Sequence, residues 1–111
     1  MKNLEFATVL PFADQVQYQS GQVVSKTIAQ SKALSLTLFA FDKGEGISSH
    51  ASGGDALVIV LDGNGQVTID DVTYPLSQGD SIVMPAGHPH SVYAKEAFKM
   101  FLVVEFPLTK E

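Results

Sequence analysis

Between residues 44 and 94 the sequence consists of short apolar runs separated by turns rich in glycine, proline and aspartate. Runs of about four to eight residues bounded by such turns are typical of β-strands, and no periodic segment of helical length occurs there. Residues 56–61 are apolar without alternation, which is typical of a strand covered on both faces. The segment Asp62-Gly63-Asn64-Gly65 predicts a tight hairpin directly after this strand. The stretch therefore restricts the chain to an antiparallel β architecture.

The flanking segments show the same β pattern. From residue 22 the side chains alternate with a period of two, and a second alternating run ends at Phe41. The pair Gly53-Gly54 predicts a bulge or sharp bend, because residues without a Cβ fit such positions easily. The chain is therefore expected to be an all-β sandwich or barrel of about nine strands, with no long helix. The predicted strands cover residues 22–30, 34–41, 47–50, 55–61, 67–69, 72–76, 81–84, 92–93 and 98–106.

The first 21 residues have no strand pattern and are expected to be irregular, with at most a short helical turn after Pro11. We expect this segment to pack on a single barrel domain formed by residues 22–111. Its apolar side chains are Leu4, Phe6, Val9, Leu10 and Phe12.

Composition narrows the function classes. The chain has 111 residues, enough for one domain, and a net charge of -5, which argues against nucleic-acid and anionic-membrane partners. It has no cysteine, so disulfides and thiolate metal sites are excluded. No apolar run is long enough to span a bilayer, and the N-terminus lacks the apolar core of a signal peptide. A cytoplasmic location is the expectation.

Two spaced patterns lie within the central stretch. They are Gly44-x5-His50-x-Ser52-x3-Ala56-x6-Gly63 and Gly79-x5-Pro85-x-Gly87-x2-His90-x3-Ala94. Their spacing resembles the two motifs of the cupin superfamily, G-x5-H-x-H-x3-E-x6-G and G-x5-P-x-G-x2-H-x3-N. The resemblance is to small single-domain bacterial cupins, many of them without an assigned function. It implies a small double-stranded β-helix, the jelly-roll barrel.

The resemblance also implies a metal site, from which half of the ligands are missing here. In metal-binding cupins the two histidines and the glutamate of the first motif and the histidine of the second hold one divalent ion. His50 and His90 occupy two of these four positions, whereas Ser52 and Ala56 occupy the others. Two imidazoles alone bind a transition metal weakly. One divalent transition metal is therefore the only candidate cofactor, and the alternative is that both histidines are hydrogen-bonded core residues.

Two residues could supply a third ligand. Asp55 directly precedes the position of the missing glutamate and would point to the opposite face of a regular strand, unless the glycine pair before it turns it inward. His88 shares the parity of His90 at the barrel mouth, but Pro89 restricts its backbone. Either residue with His50 and His90 would complete a three-ligand set, whereas the alternatives are that Asp55 is a turn or edge carboxylate and His88 a solvent-facing loop residue.

Three functions remain open. The first is a binding module that holds a small organic ligand in the lumen. The second is an enzyme, either a metal-dependent (Fe, Ni, Zn or Mn) dioxygenase or isomerase using His50, His90 and Asp55 or His88, or a metal-free isomerase with one histidine as general base. The third is a structural homodimer in which the first and last strands pair between subunits. The predicted pocket residues are Ser52, Ala56, Val58, Met84 and Tyr93.

Overall fold

The computed structural model describes residues 1–107 and confirms the predicted all-β class. These residues form eight β-strands and one four-residue 3₁₀ turn at Phe12–Gln15. In chain order the strands are β1 Val23–Gln30, β2 Leu34–Phe41, β3 Gly46–His50, β4 Asp55–Ile69, β5 Val72–Ser77, β6 Ser81–Met84, β7 His90–Tyr93 and β8 Phe98–Glu105.

The strands form one curled antiparallel sheet in the order β1-β2-β8-β4-β7-β3, with β5 and β6 each paired to β4. The long strand β4 joins the two halves of this sheet. Its first part pairs with β6 and β8, and its last part pairs with β5 and β7. Because β4 continues from one half into the other, the two halves face each other across a common core.

The hairpin predicted at residues 62–65 is wrong, because β4 continues through them. The register of β4 against β8 shifts between Val60 and Asp62, so the strand carries a bulge at this point. The chain reverses only at Asp70-Asp71, where both residues have positive φ angles of 49° and 69°. Aspartate tolerates this left-handed conformation, and two such residues suit a tight hairpin.

The glycines of the supposed hairpin allow β8 to approach β4 closely. Gly63 has a φ of 75°, and a Cβ there would overlap the backbone carbonyl of Ala97. A Cβ at Gly65 would overlap the ring of Phe98. The sequence signal therefore marks a bend and a close contact between strands rather than a turn.

The main core lies between the two halves of the sheet. The rings of Phe41 and Phe98 stack with centroids 4.7 Å apart and an interplanar angle of 4°. Val58 and Val60 are fully buried beside them. Burying apolar side chains of this size contributes about 1.5–3 kcal/mol each. These packed side chains hold the two halves of the sheet together.

A second apolar cluster lies on the outer face of the sheet, beneath the N-terminal segment. Val16 from that segment is buried with Ile28 and Leu38. The ring of Phe12 meets Phe101 edge-on, with centroids 5.0 Å apart. The segment therefore covers part of the outer face.

Polar contacts tie the same segment to the sheet. The buried ammonium group of Lys99 donates to the backbone oxygen of Ala13 at 2.7 Å, and the Tyr18 hydroxyl donates to Asp62 at 2.5 Å. The segment does not pack along its whole length, however. The expected contacts of two apolar side chains are absent, since Phe6 is 72% exposed and Val9 is 99% exposed.

Strand β8 has no free edge, because it pairs with β2 on one side and with β4 on the other. The last strand therefore cannot pair with a second subunit through its backbone. The expectation that it does so is wrong. The outer edge of β1 is partly occupied by the backbone of Lys2, which donates to the Ile28 oxygen at 2.8 Å. Within residues 1–107 no helix has the length and apolar character needed to cross a membrane.

Candidate functional site

A cavity of about 160 Å³ opens in the barrel beside the stacked phenylalanine rings, since Phe39 lines it and also stacks on Phe41 with ring centroids 5.8 Å apart. His50, the last residue of β3, and His90, the first residue of β7, both line it. The two residues are register partners, and their rings meet edge-on with centroids 4.5 Å apart and an interplanar angle of 69°. The structure therefore brings these two candidate site residues together.

The backbone sets the tautomer of both histidines. Nδ1 of His50 lies 3.0 Å from the carbonyl oxygen of Ser48, and Nδ1 of His90 lies 3.2 Å from that of His88. A carbonyl oxygen only accepts hydrogen bonds, so in each ring Nδ1 must carry the proton. In a neutral imidazole with its proton on Nδ1, the lone pair is on Nε2, so Nε2 is the nitrogen of each ring that can accept a hydrogen bond.

Burial lowers the pKa of His90 below its ordinary value, and the neighbouring His50 lowers it further. The carbonyl of His88 acts in the opposite direction, because it stabilises the charged form. Burial is the largest cause and His90 is only 3% exposed, so the neutral imidazole is its resting form at neutral pH.

The remaining polar group on the cavity wall is Ser52. Its hydroxyl oxygen accepts a hydrogen bond from the backbone N–H of Gly54 at 3.1 Å. The hydroxyl proton therefore remains available to donate toward the cavity. Ala56, at the position of the family's glutamate, lines the same wall but contributes no polar atom.

Asp55 lies away from the histidine pair. As the first residue of β4 it points to the outer face, where its carboxylate accepts a hydrogen bond from the backbone N–H of Ala86 at 2.8 Å. It borders an outer groove with Glu105, its register partner on β8. The bend at Gly53-Gly54 does not reverse the strand's alternation, so the structure does not bring this carboxylate to the cavity.

His88 also lies outside the cavity. Its Nδ1 is 2.5 Å from the carboxylate of Asp70, and both side chains are half exposed. The contribution of His88 to the site is its backbone oxygen, which accepts the hydrogen bond from His90.

The structure separates the predicted pocket residues into two groups. Ser52, Ala56 and Met84 line the cavity, whereas Val58 is buried in the packed core and Tyr93 points outward with 46% of its surface exposed. Sequence reasoning missed much of the apolar wall. The inward alternation of β3, β7 and β8 was the signal that could have identified these positions. The missed residues are Ile47, Val92, Met100, Leu102 and Val104.

Comparison with known proteins identifies the family. A family model described as the cupin domain matches residues 37–104, which include both histidines. The chain belongs to the cupin domain family. No curated protein matches it.

Solved structures support the same conclusion. A conserved protein of unknown function from Streptococcus pyogenes is 45% identical, with 97% of this cupin and 95% of that chain covered and a TM-score of 0.94. A cupin superfamily protein from Desulfitobacterium hafniense is 33% identical, with 96% and 97% covered and a TM-score of 0.91. A salicylate 1,2-dioxygenase from Pseudoaminobacter salicylatoxidans is 19% identical, with 85% and 28% covered and a TM-score of 0.71, and it shares the fold alone.

The donor set of this cupin does not fit the family's resident metal ion. Within residues 1–107 no three His, Cys, Asp or Glu side chains are grouped closely enough to hold a metal. His50 and His90 supply two imidazole nitrogens, and the Ser52 hydroxyl is a poor ligand for zinc or iron. Catalytic zinc sites use about three protein ligands. Two nitrogens leave an ion held mainly by water.

Proposed function

We propose that this cupin binds a small organic molecule in its barrel cavity without a resident metal ion. The observation that carries the proposal is the pairing of an apolar cavity with two adjacent imidazoles, His50 and His90, on one side of it. Ligand sites in proteins typically combine a mostly apolar wall with a few polar groups that fix orientation.

The composition of the wall supports a ligand rather than a solvent-filled channel. Among residues 1–107, eleven line the cavity; eight of them are apolar, and the polar ones are His50, Ser52 and His90. An apolar wall favours the displacement of water by a carbon skeleton, whereas the polar groups give that skeleton one orientation.

A metal-dependent enzyme is the second candidate, and it rests on the two adjacent imidazoles that offer Nε2 lone pairs. Its weakness is the missing third ligand, since Asp55 and His88 bond to other partners. A site of this kind would bind Zn²⁺ or Mn²⁺ far more weakly than a complete cupin set.

Methionine methyl groups provide a direct test, because the chain has three methionines. Met84 and Met100 line the cavity, whereas Met1 is 69% exposed outside it. In protein labelled with [¹³C-methyl]methionine we expect single-ring compounds to shift the NMR signals of Met84 and Met100 in a saturable way. The Met1 signal serves as the internal control. Met84→Leu and Met100→Leu assign the signals.

A blocking variant shows whether the cavity itself is occupied. Ala56→Leu adds a branched side chain to the cavity wall and should abolish the saturable shifts while the fold is retained. If no compound moves the two cavity methyl signals, or if Ala56→Leu leaves the shifts unchanged, the binding proposal is wrong. Stoichiometric, tight Zn²⁺ or Mn²⁺ binding that is lost in His50→Ala would replace it with the metal-dependent alternative.

A further inference from the structure

The polar groups of the cavity have a definite hydrogen-bonding character. His50 and His90 each present an Nε2 acceptor, because backbone carbonyls hold the proton of each ring on Nδ1. Ser52 presents a donor, because its oxygen already accepts from Gly54. The site thus offers two acceptors and one donor to whatever occupies the cavity.

The geometry points to a compact, uncharged hydroxyl compound as the ligand class of this cavity, rather than a carboxylate or a phosphate. A hydroxyl group donates to an imidazole Nε2 and accepts from the Ser52 hydroxyl at the same time. This inference rests on the proposed function, since it names the chemistry of the ligand that the cavity would bind.

The absence of a cation on the wall argues against an anionic ligand. Among residues 1–107, no Lys or Arg lines the cavity, and two lone pairs would face an anion's oxygens. An ionised carboxylate transferred from water into an apolar site without a partner charge is strongly disfavoured. Protonating His90 to provide that charge is opposed by its burial and by His50, which together lower its pKa.

The size of the cavity restricts the carbon skeleton. Its volume is about 160 Å³. An engineered cavity of about 150 Å³ in another protein holds benzene, so this cavity has room to enclose about one six-membered ring. Phenol meets both requirements, because it is a ring of this size with one hydroxyl group.

Phenol, toluene and benzoate test the roles of the hydroxyl group and of ligand charge separately. Toluene replaces the hydroxyl of phenol by a methyl group of similar size, and benzoate replaces it by an anion. Dissociation constants are measured from the Met84 and Met100 methyl signals at about pH 8, where an unperturbed histidine is neutral. We expect phenol to bind, and benzoate to cause no saturable shift at concentrations that saturate with phenol.

Phenol and toluene differ in their solubility in water, and this difference affects their dissociation constants equally in the wild type and in a variant. Comparing the two proteins therefore cancels it. The ratio of the toluene and phenol dissociation constants is compared between the wild type and His50→Ala. Loss of a hydrogen bond to the hydroxyl should lower this ratio about tenfold in the variant. His88→Ala is the matched control, because its imidazole contacts Asp70 outside the cavity and its backbone oxygen is kept. This control should leave the ratio unchanged.

The outcomes distinguish this inference from the proposed function. If toluene and phenol bind but His50→Ala leaves their ratio unchanged, or if benzoate binds at least as tightly as phenol, the hydroxyl assignment is overturned while the cavity remains a binding site. If none of the three probes shifts the cavity methyl signals, both are overturned. If the ratio falls only in His50→Ala, the assignment stands.

Discussion

At the scale of single residues, Gly63 is a position that the fold requires to have no side chain. Its φ of 75° is left-handed, and a Cβ would meet the carbonyl of Ala97 on the opposite segment. Alanine at this position would suffer both backbone strain and a steric overlap that only movement of β4 relative to β8 can relieve. We predict that Gly63→Ala lowers the free energy of unfolding by about 3 kcal/mol or more, measured by urea denaturation.

Gly79 supplies the matched control for this prediction. Its φ is 92°, but a Cβ would have no atom within 4 Å. Gly79→Ala should therefore cost only the conformational strain, about 1–2 kcal/mol. Equal losses for the two variants would show that contact with Ala97 contributes nothing.

The same scale shows what the sequence could predict about the site. The resemblance to the cupin motifs singled out His50 and His90, and the structure places both on the cavity wall. Regular alternation placed Asp55 on the outer face, but whether the neighbouring bend would reverse it, and where His88 points at the barrel mouth, depends on distant hydrogen-bond partners. Those partners are the N–H of Ala86 and the carboxylate of Asp70.

At the scale of elements, the N-terminal segment is attached to β4 by one strong polar contact. The Tyr18 hydroxyl donates to the Asp62 carboxylate at 2.5 Å. Burial of the phenol, together with this hydrogen bond and the negative charge of Asp62, raises the pKa of Tyr18. The folded protein thus holds the tyrosine proton more tightly than the unfolded chain does. The contribution of this contact to stability is complete below about pH 10 and is lost as the pH rises toward the raised pKa.

We predict that Tyr18→Phe lowers the free energy of unfolding by about 1 kcal/mol at neutral pH, because the Asp62 carboxylate loses its hydrogen-bond donor. The difference between variant and wild type should shrink in strongly alkaline solution. Tyr74→Phe is a suitable control, since Tyr74 is 39% exposed and Tyr18 is 37% exposed. The control should change stability by less than about 0.5 kcal/mol. An equal loss in both variants, or a difference from wild type that is constant with pH, would contradict the prediction.

The elements themselves were largely predictable, with β4 as the main exception. Alternation and turn residues located β1, β2, β3, β5 and β6 to within about two residues, because each ends at a local signal. The length of β4 depends instead on β8, which approaches it closely enough to exclude side chains at Gly63 and Gly65. A close approach between strands separated by many residues leaves the same glycine pattern as a hairpin, so local sequence cannot distinguish the two.

At the scale of the whole molecule, part of the outer sheet face is left uncovered by the N-terminal segment. One row of apolar residues crosses four adjacent strands in register, from β2 through β8 and β4 to β6. Opposed residues of antiparallel strands share a face, so this row points away from the cavity. Its members are Leu36, Val103, Leu57 and Val83, of which Leu36 at one end packs against the cluster beneath the N-terminal segment. A row of this kind gives a second copy of the chain an apolar surface to cover.

The homodimer expected from the sequence therefore remains a prediction, with this outer face as the contact instead of a backbone pairing of β8. A stable dimer buries about 800 Å² on each partner, so the contact must extend beyond the row itself. Negative charge opposes this association. Asp55 and Glu105 border the outer groove that contains part of the row, and each chain has a net charge of -5. Salt screens such repulsion, so dimerisation should strengthen as ionic strength rises.

Light scattering coupled to size-exclusion chromatography measures the mass directly, and two valines of equal exposure provide the comparison. Val83 lies in the row, whereas Val72 lies on β5, and each is 52% exposed. Val83→Glu would bury a carboxylate in the contact and should yield a monomer, whereas Val72→Glu should remain dimeric. A monomeric wild type at high salt would show that no second copy covers this face. Dissociation by both substitutions would show that added charge, rather than the position of Val83, separates the subunits.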